Sequence, residues 1–205
     1  KTAVMLAAIQ GHGTLLFSEP ATSRDHSERM FRAMGVVFED WIDHDGTHFI
    51  RLEGPQQLHG TDIHVPGDIS SAAFFLVAAT VVPGSDLLLK DVGLNPTRTG
   101  IIDVLRSMGA SIDVTPKPSI AGEPTGHIRV RYRTLRGTTI SGSLIPRLVD
   151  EIPVLSVAAA AAEGTTIVED AHELRLKESD RIDACVHLAR SLGAVAEASE
   201  GGFTI

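Results

Sequence analysis

Apolar and polar positions along the chain fall into a pattern that recurs three times. Each copy starts with an apolar stretch rich in small residues, continues through a strand led by glycine and a loop carrying arginine, and then turns into an amphipathic helix. A Met-Gly or Leu-Gly pair closes that helix and another strand follows. The copies start at Ala3, Ser70 and Glu151, their strands are led by Gly13, Gly84 and Gly164, and their helices stop at Gly35, Gly109 and Gly193. Repeats of this length point to one supersecondary unit used several times. Each unit is predicted to be helix, strand, helix, strand. In the second copy Ile101, Val104, Leu105 and Met108 recur at helical spacing, and Gly109 can take the left-handed conformation that ends a helix. In the third, Ile182, Val186 and Ala189 form a stripe that Cys185, Leu188 and Leu192 are expected to widen. Hairpin-like segments are expected at residues 37–52, around His44-Asp45-Gly46, and at residues 128–140, where apolar and basic residues alternate. The first helices of the units, small and apolar on several sides, suggest units gathered around a shared helical centre. The predicted fold class is therefore α/β, built from repeats.

Composition narrows the class of partner. The 205 residues carry 18 Lys+Arg against 26 Asp+Glu, a net charge of -8, and 43% hydrophobic residues. That balance is globular, and its acidity argues against coating nucleic acid, which needs a positive field over the contacted face. The longest apolar runs, residues 72–83 and 152–162, fall short of the roughly 20 residues that span a bilayer, so no membrane is expected. One cysteine, Cys185, and no basic-then-apolar leader make a reducing, cytoplasmic setting the default. Anionic small molecules remain possible if cations are concentrated locally.

The arginines of the repeat supply that concentration. Arg24 and Arg98 each lie 11 residues before the glycine that ends their helix, and Arg181 lies 12 before Gly193. All three are thus expected at helix N-termini, where free N–H groups and the helix dipole already favour anions and a guanidinium adds a bidentate fork. Equally, each could pair with a nearby acid such as Asp25, Asp103 or Asp180. The third copy is densest: Lys177, Glu178 and Arg181 can converge on one anion with a carboxylate able to move a proton, or form a capping run with Ser179 as N-cap. Asp150, ahead of Glu151-Ile-Pro153, reads as an N-cap, and Asp68 is its counterpart in the second copy; spacing does not say which is catalytic. His44 and His48 with Asp43 and Asp45 have the composition of a metal cluster but flank a hairpin turn, so no metal is expected. Loops of the Gly-x-Gly-x-x-Gly or Gly-x4-Gly-Lys-Ser/Thr kinds are absent, and no cofactor is predicted.

Five strings carry a resemblance: EPATSRDHSERM at 19–30, VPGDISSAAFF at 65–75, GLNPTRTGIID at 93–103, LIPRLVDEIP at 144–153 and LKESDRID at 176–183. Together, in order and spacing, they resemble the 5-enolpyruvylshikimate-3-phosphate synthase family, in wording most like its class II bacterial branch. The resemblance covers essentially the whole chain. It implies a transferase of the shikimate pathway that moves the enolpyruvyl group of phosphoenolpyruvate to the 5-hydroxyl of shikimate 3-phosphate. It also implies two similar domains of three repeats each, an "inside-out" barrel with the helices inside. Residues 1–66 would finish one domain and 67–205 form most of the other. By motif, Asp150 matches a proton-transfer aspartate that also binds shikimate 3-phosphate. Lys177 matches a lysine that binds shikimate 3-phosphate and bridges both substrates, and Glu178 a glutamate beside the phosphoenolpyruvate methylene. Arg181 matches an arginine on phosphoenolpyruvate, and Ser23 and Arg24 the loop that receives the 3-phosphate. Arg98 receives no role. The family chain is about twice as long, and Lys1 is not a starting methionine, so an internal segment of a longer, monomeric protein is expected, inactive or nearly so alone. UDP-N-acetylglucosamine enolpyruvyl transferase, which shares the architecture, and a non-catalytic phosphate-binding module are the alternatives.

Overall fold

A computed structural model describes residues 1–20 and 22–205. Ala21, inside the first of the five strings, lies outside the described residues. The chain divides into two compact units: residues 1–65 with 118–124, and residues 66–117 with 125–205.

The first unit holds α1 (Thr2–Gln10), β1 (Gly13–Glu19), α2 (His26–Ala33), β2 (Phe38–Ile42) and β3 (His48–Gly54). Strands β1 and β2 both pair antiparallel with β3, giving the order β1-β3-β2. The hairpin predicted at residues 37–52 is present as β2 and β3 around the turn at Gly46 (φ 87°). Met5, Ile9, Phe31, Val36, Ile50 and Leu52 form its core.

The second unit contains α3 (Ile69–Val81), β4 (Asp86–Gly93), α4 (Gly100–Ser107), β5 (Ser111–Ile120) and β6 (Glu123–Arg131) apart from their joined ends at residues 118–124, and β7 (Thr139–Ile140). After these come α5 (Ile152–Ala160), β8 (Ile167–Val168), α6 (Arg181–Ser191), β9 (Glu197–Ser199) and β10 (Gly202–Thr204). One sheet has the order β4-β6-β5; the other, β7-β8-β10-β9, joins β7 to β8 in parallel and the rest antiparallel. Helix, strand, helix, strand therefore recurs in all three copies. Gly35, Gly109 and Gly193, with φ of 90°, 93° and 88°, end the three amphipathic helices in the left-handed region, where a Cβ would be strained. Helix α5 packs between α3 and α6 in one continuous core running from Ile69 to Ile205, so the small residues of α3 and α5 do meet other helices.

Three expectations are corrected. Residues 128–140 are not a hairpin: both partners of β6, β4 and β5, lie upstream, and β5 is joined to it through Ala121 and Gly122, whose φ values of 52° and 76° suit the tight turn. On α6 the buried stripe is Ile182, Cys185, Val186 and Ala189, whereas Leu188 and Leu192 are 39% and 54% exposed, because the packing face is narrower than the apolar one. Helix α6 is capped by Asp180, not Ser179: the Asp180 carboxylate accepts from the N–H groups of Ile182 and Asp183. Cys185 belongs to the core, and burial pushes its thiol up to about 11. Among the described residues no helix is long and apolar enough to cross a membrane.

Candidate active site

The arginines of the repeat do stand at helix starts. Arg24 and Arg98 each precede their N-cap, Asp25 and Thr99, by one residue, and Arg181 is the first residue of α6. The nearby acids weighed as their partners each meet another arginine. Asp25 pairs with Arg29 at 2.8 Å, Asp103 with Arg147 at 2.7 Å and Asp180 with Arg175.

In the second unit, Arg181 gathers two of the predicted residues. Its Nη1 donates to Asp150 Oδ1 at 3.0 Å and its Nη2 to Glu178 Oε2 at 3.3 Å. Asp150 is exposed and Glu178 still more so, with 87% of its side chain accessible, so both carboxylates face solvent while the guanidinium lies half-buried between them. The Asp150 carboxylate raises the Arg181 pKa above its ordinary value. The Glu178 carboxyl is held below the usual carboxylate range, first by a backbone hydrogen bond and then by Arg181. The cluster is thus a fixed cation between two carboxyl groups, an arrangement suited to an anionic ligand that displaces one of them.

Lys177 reaches this cluster only through its charge, which helps hold the Glu178 carboxyl low. It ends a 3-10 turn at His172–Leu176, ahead of α6, so the four-residue separation from Arg181 is not a helical one, and its Nζ lies 3.9 Å from Glu173 Oε2. Asp150 is not a cap either. Glu151 occupies the N-cap position of α5 without a capping bond, and Pro153 in the first turn has no N–H to satisfy.

The turn holding Lys177, Glu178 and Arg181 is braced by a residue the sequence reading passed over. Arg175 donates through Nε to the Glu200 carbonyl at 3.0 Å, through Nη2 to the Ser199 carbonyl at 2.6 Å, and through Nη1 to Asp180, the cap of α6. Burial pushes the Asp180 carboxyl up, but the Asp183 N–H and Arg175 outweigh it and hold the pKa low. A second cation five residues before the capping aspartate was the available signal.

In the first unit Ser23 and Arg24 are both exposed, in the loop before α2. Ser23 is gripped by Glu19: its N–H donates to Oε1 at 3.1 Å and its hydroxyl to Oε2 at 2.7 Å. Burial pushes the Glu19 carboxyl up, but His48, Ser23 and Lys1 overcome it and bring the pKa to about 2. Glu19, Glu28 and His48 offer ligand atoms within 4.8 Å of one another, the composition of a metal site. The Lys1 ammonium already supplies countercharge there, 3.0 Å from Glu19 and 2.7 Å from Glu28. The other histidine of the hairpin, His44, turns to Asp43, so the cluster suggested by His44 and His48 does not form.

With this geometry in view, the comparisons are specific. The family model described as EPSP synthase (3-phosphoshikimate 1-carboxyvinyltransferase) matches residues 1–205. A 3-phosphoshikimate 1-carboxyvinyltransferase of Bacillus licheniformis is 49% identical over the whole chain, which covers 47% of that relative. One from Synechococcus sp. (strain JA-3-3Ab) is 54% identical over 95% of the chain and 43% of its own length. The solved EPSP synthase of Acinetobacter baumannii superposes with a TM-score of 0.88 at 41% identity, over 98% of this chain and 44% of that one. The enolpyruvyl transferase NikO of Streptomyces tendae, at TM-score 0.61, 21% identity, 80% of this chain and 37% of its own, shares the fold. The chain spans a little under half the length of these curated relatives.

Proposed function

The chain belongs to the EPSP synthase family, and on that footing we propose that the whole protein moves the enolpyruvyl group of phosphoenolpyruvate to the 5-hydroxyl of shikimate 3-phosphate, releasing phosphate. The observation that supports the reading is the Asp150–Arg181–Glu178 cluster, in which a cation is held between two acids drawn from two of the matching strings.

Chemically, the acceptor oxygen must bond to C2 of the enol, lose its proton, and see the methylene carbon gain one. Breaking the C2–phosphate oxygen bond, with loss of a proton from the new methyl group, then restores the double bond. Asp150 takes the hydroxyl proton and Glu178 handles the proton at the methylene carbon. Glu178, ionised while it faces Arg181, becomes a better proton carrier once the substrate anion draws that guanidinium away. Arg181 receives phosphoenolpyruvate, and Lys177 binds shikimate 3-phosphate and offsets the repulsion between the two anions. Ser23 and Arg24 are assigned to the 3-phosphate. Of these two, Arg24 brings the charge, while both Ser23 donors are engaged by Glu19 and must be exchanged for the phosphate. The two units stand for parts of the two domains, 1–66 and 67–205, a division supported by the break after Val65. On this reading the 205 residues alone are inactive or nearly so, and the whole protein is a cytoplasmic monomer that uses no cofactor.

Phosphate release by the whole protein tests this. It should require phosphoenolpyruvate and shikimate 3-phosphate together and should fail with UDP-N-acetylglucosamine as acceptor. Equal release with the nucleotide sugar would overturn the reading, and binding of shikimate 3-phosphate without turnover would leave only a phosphate-binding module.

A further inference from the structure

Arg98 stands where Arg24 and Arg181 stand in the other copies of the repeat, yet nothing in the proposed chemistry uses it. Its surroundings are built. Only a fifth of its side chain is accessible, and its Nη2 lies 3.0 Å from Asp68 Oδ1, the carboxylate that caps α3. The same nitrogen donates to the Ser70 hydroxyl at 2.6 Å. Ser70 in turn donates to Glu151 Oε1. A hydroxyl has one hydrogen, so a donor seated on its oxygen lone pair leaves that hydrogen directed at the carboxylate.

Glu151 is the far end of the chain of contacts and its most demanding member. It is 2% exposed and holds the N-cap position of α5 without capping it, its carboxylate turned instead to Ser70 at the start of α3. A carboxylate so deeply buried is tolerated only where donors meet it. Asp150 is its neighbour in the chain, so anchoring the Glu151 side chain at the start of α3 limits where the backbone at Asp150 can lie.

We propose that Arg98 is a positioning residue for Asp150, acting through Ser70 and Glu151. Arg98 fixes the Ser70 hydroxyl, Ser70 fixes Glu151, and Glu151 sets the backbone from which Asp150 reaches Arg181. This inference rests on the assignment of Asp150 to proton transfer in the proposed reaction. Small displacements at a proton-transfer group are costly: about 1 Å of misplacement can lower turnover 100-fold.

A double-mutant cycle in the whole protein tests it, using phosphate release with both substrates and thermal melts of every variant. Arg98→Ala should lower kcat about 10- to 100-fold with little change in the KM for phosphoenolpyruvate. Introduced into Asp150→Asn, it should cost less than about threefold further, because the residue it positions is already disabled. Ser70→Ala, which removes one oxygen and keeps Arg98, should lower kcat in the same sense and remain informative if Arg98→Ala does not fold. If Arg98→Ala and Ser70→Ala lower kcat by full, independent factors in the Asp150→Asn background, the positioning role is wrong while the assignment of Asp150 stands. If Asp150→Asn itself turns over like wild type, that assignment fails and takes the inference with it.

Discussion

The starts of α3 and α5 occupy the same place in successive copies of the repeat, and they use an aspartate in opposite ways. At α3, Asp68 is the cap: its Oδ2 accepts from the Ser71 N–H at 3.0 Å and from the Ser71 hydroxyl at 3.1 Å. Burial pushes the Asp68 carboxyl up, but the N–H groups of Ser71 and Ser70, and Arg98, prevail and keep it low. At α5 the cap position has passed to Glu151, whose side chain is buried, and Asp150 is moved one residue outward onto Arg181. A proline in the first turn lowers the need for a capping acceptor. Both acids stand beside an arginine, Asp68 at 3.0 Å from Arg98 and Asp150 at 3.0 Å from Arg181, but only Asp68 occupies the cap position of its helix.

Several changes would break or sharpen that contrast. The largest effect is expected from Arg181→Ala, which removes the cation shared by Asp150 and Glu178: turnover should fall about 100- to 1,000-fold, against a smaller fall for its counterpart Arg98→Ala, both read by phosphate release. Losing the α3 cap should act mainly on stability. Asp68→Ala should cost about 0.5–2 kcal/mol in denaturant unfolding, with turnover falling less than in Asp150→Ala. In the first unit, Glu19 has a folded pKa of about 2, below the ordinary 4.5, so its contribution to stability is complete above about pH 4.5 and is lost as pH falls toward 2. Denaturant unfolding followed by circular dichroism should therefore show wild type losing more stability between about pH 4.5 and pH 2 than Glu19→Gln, which lacks this group. The smallest effect is on Glu178: in Arg181→Gln its NMR titration midpoint should rise toward the ordinary glutamate value, since one of the groups holding it down is gone.

How much of this was legible in the chain depends on distance. The three-fold helix, strand, helix, strand plan could be read because its signals are local: helical spacing in Ile101, Val104, Leu105 and Met108, and a stop at Gly109. Strand pairing is not local, and the alternation at residues 128–140 says nothing of whether the partner lies before or after, so β6 was given the wrong one. Ser179 and Asp180 are both good caps one residue apart, and only the backbone geometry selects Asp180. The residues proposed for the site came from family resemblance. The partners were not: Arg98 meets Asp68 and Ser70, some 30 residues away, while the nearer Asp103 is drawn to Arg147. Nor does spacing place Lys177, because the chain between it and Arg181 is not one helix.

The central claim is that the third copy of the repeat has released its aspartate from helix capping for proton transfer. Asp150→Ala and Asp68→Ala, made in the whole protein and compared by phosphate release and thermal melting on the same samples, test it most directly. Asp150→Ala should lose at least about 100-fold in turnover with its melting temperature nearly unchanged, while Asp68→Ala should lose melting temperature and much less turnover. An Asp150→Ala protein that melts early yet turns over normally would contradict the claim.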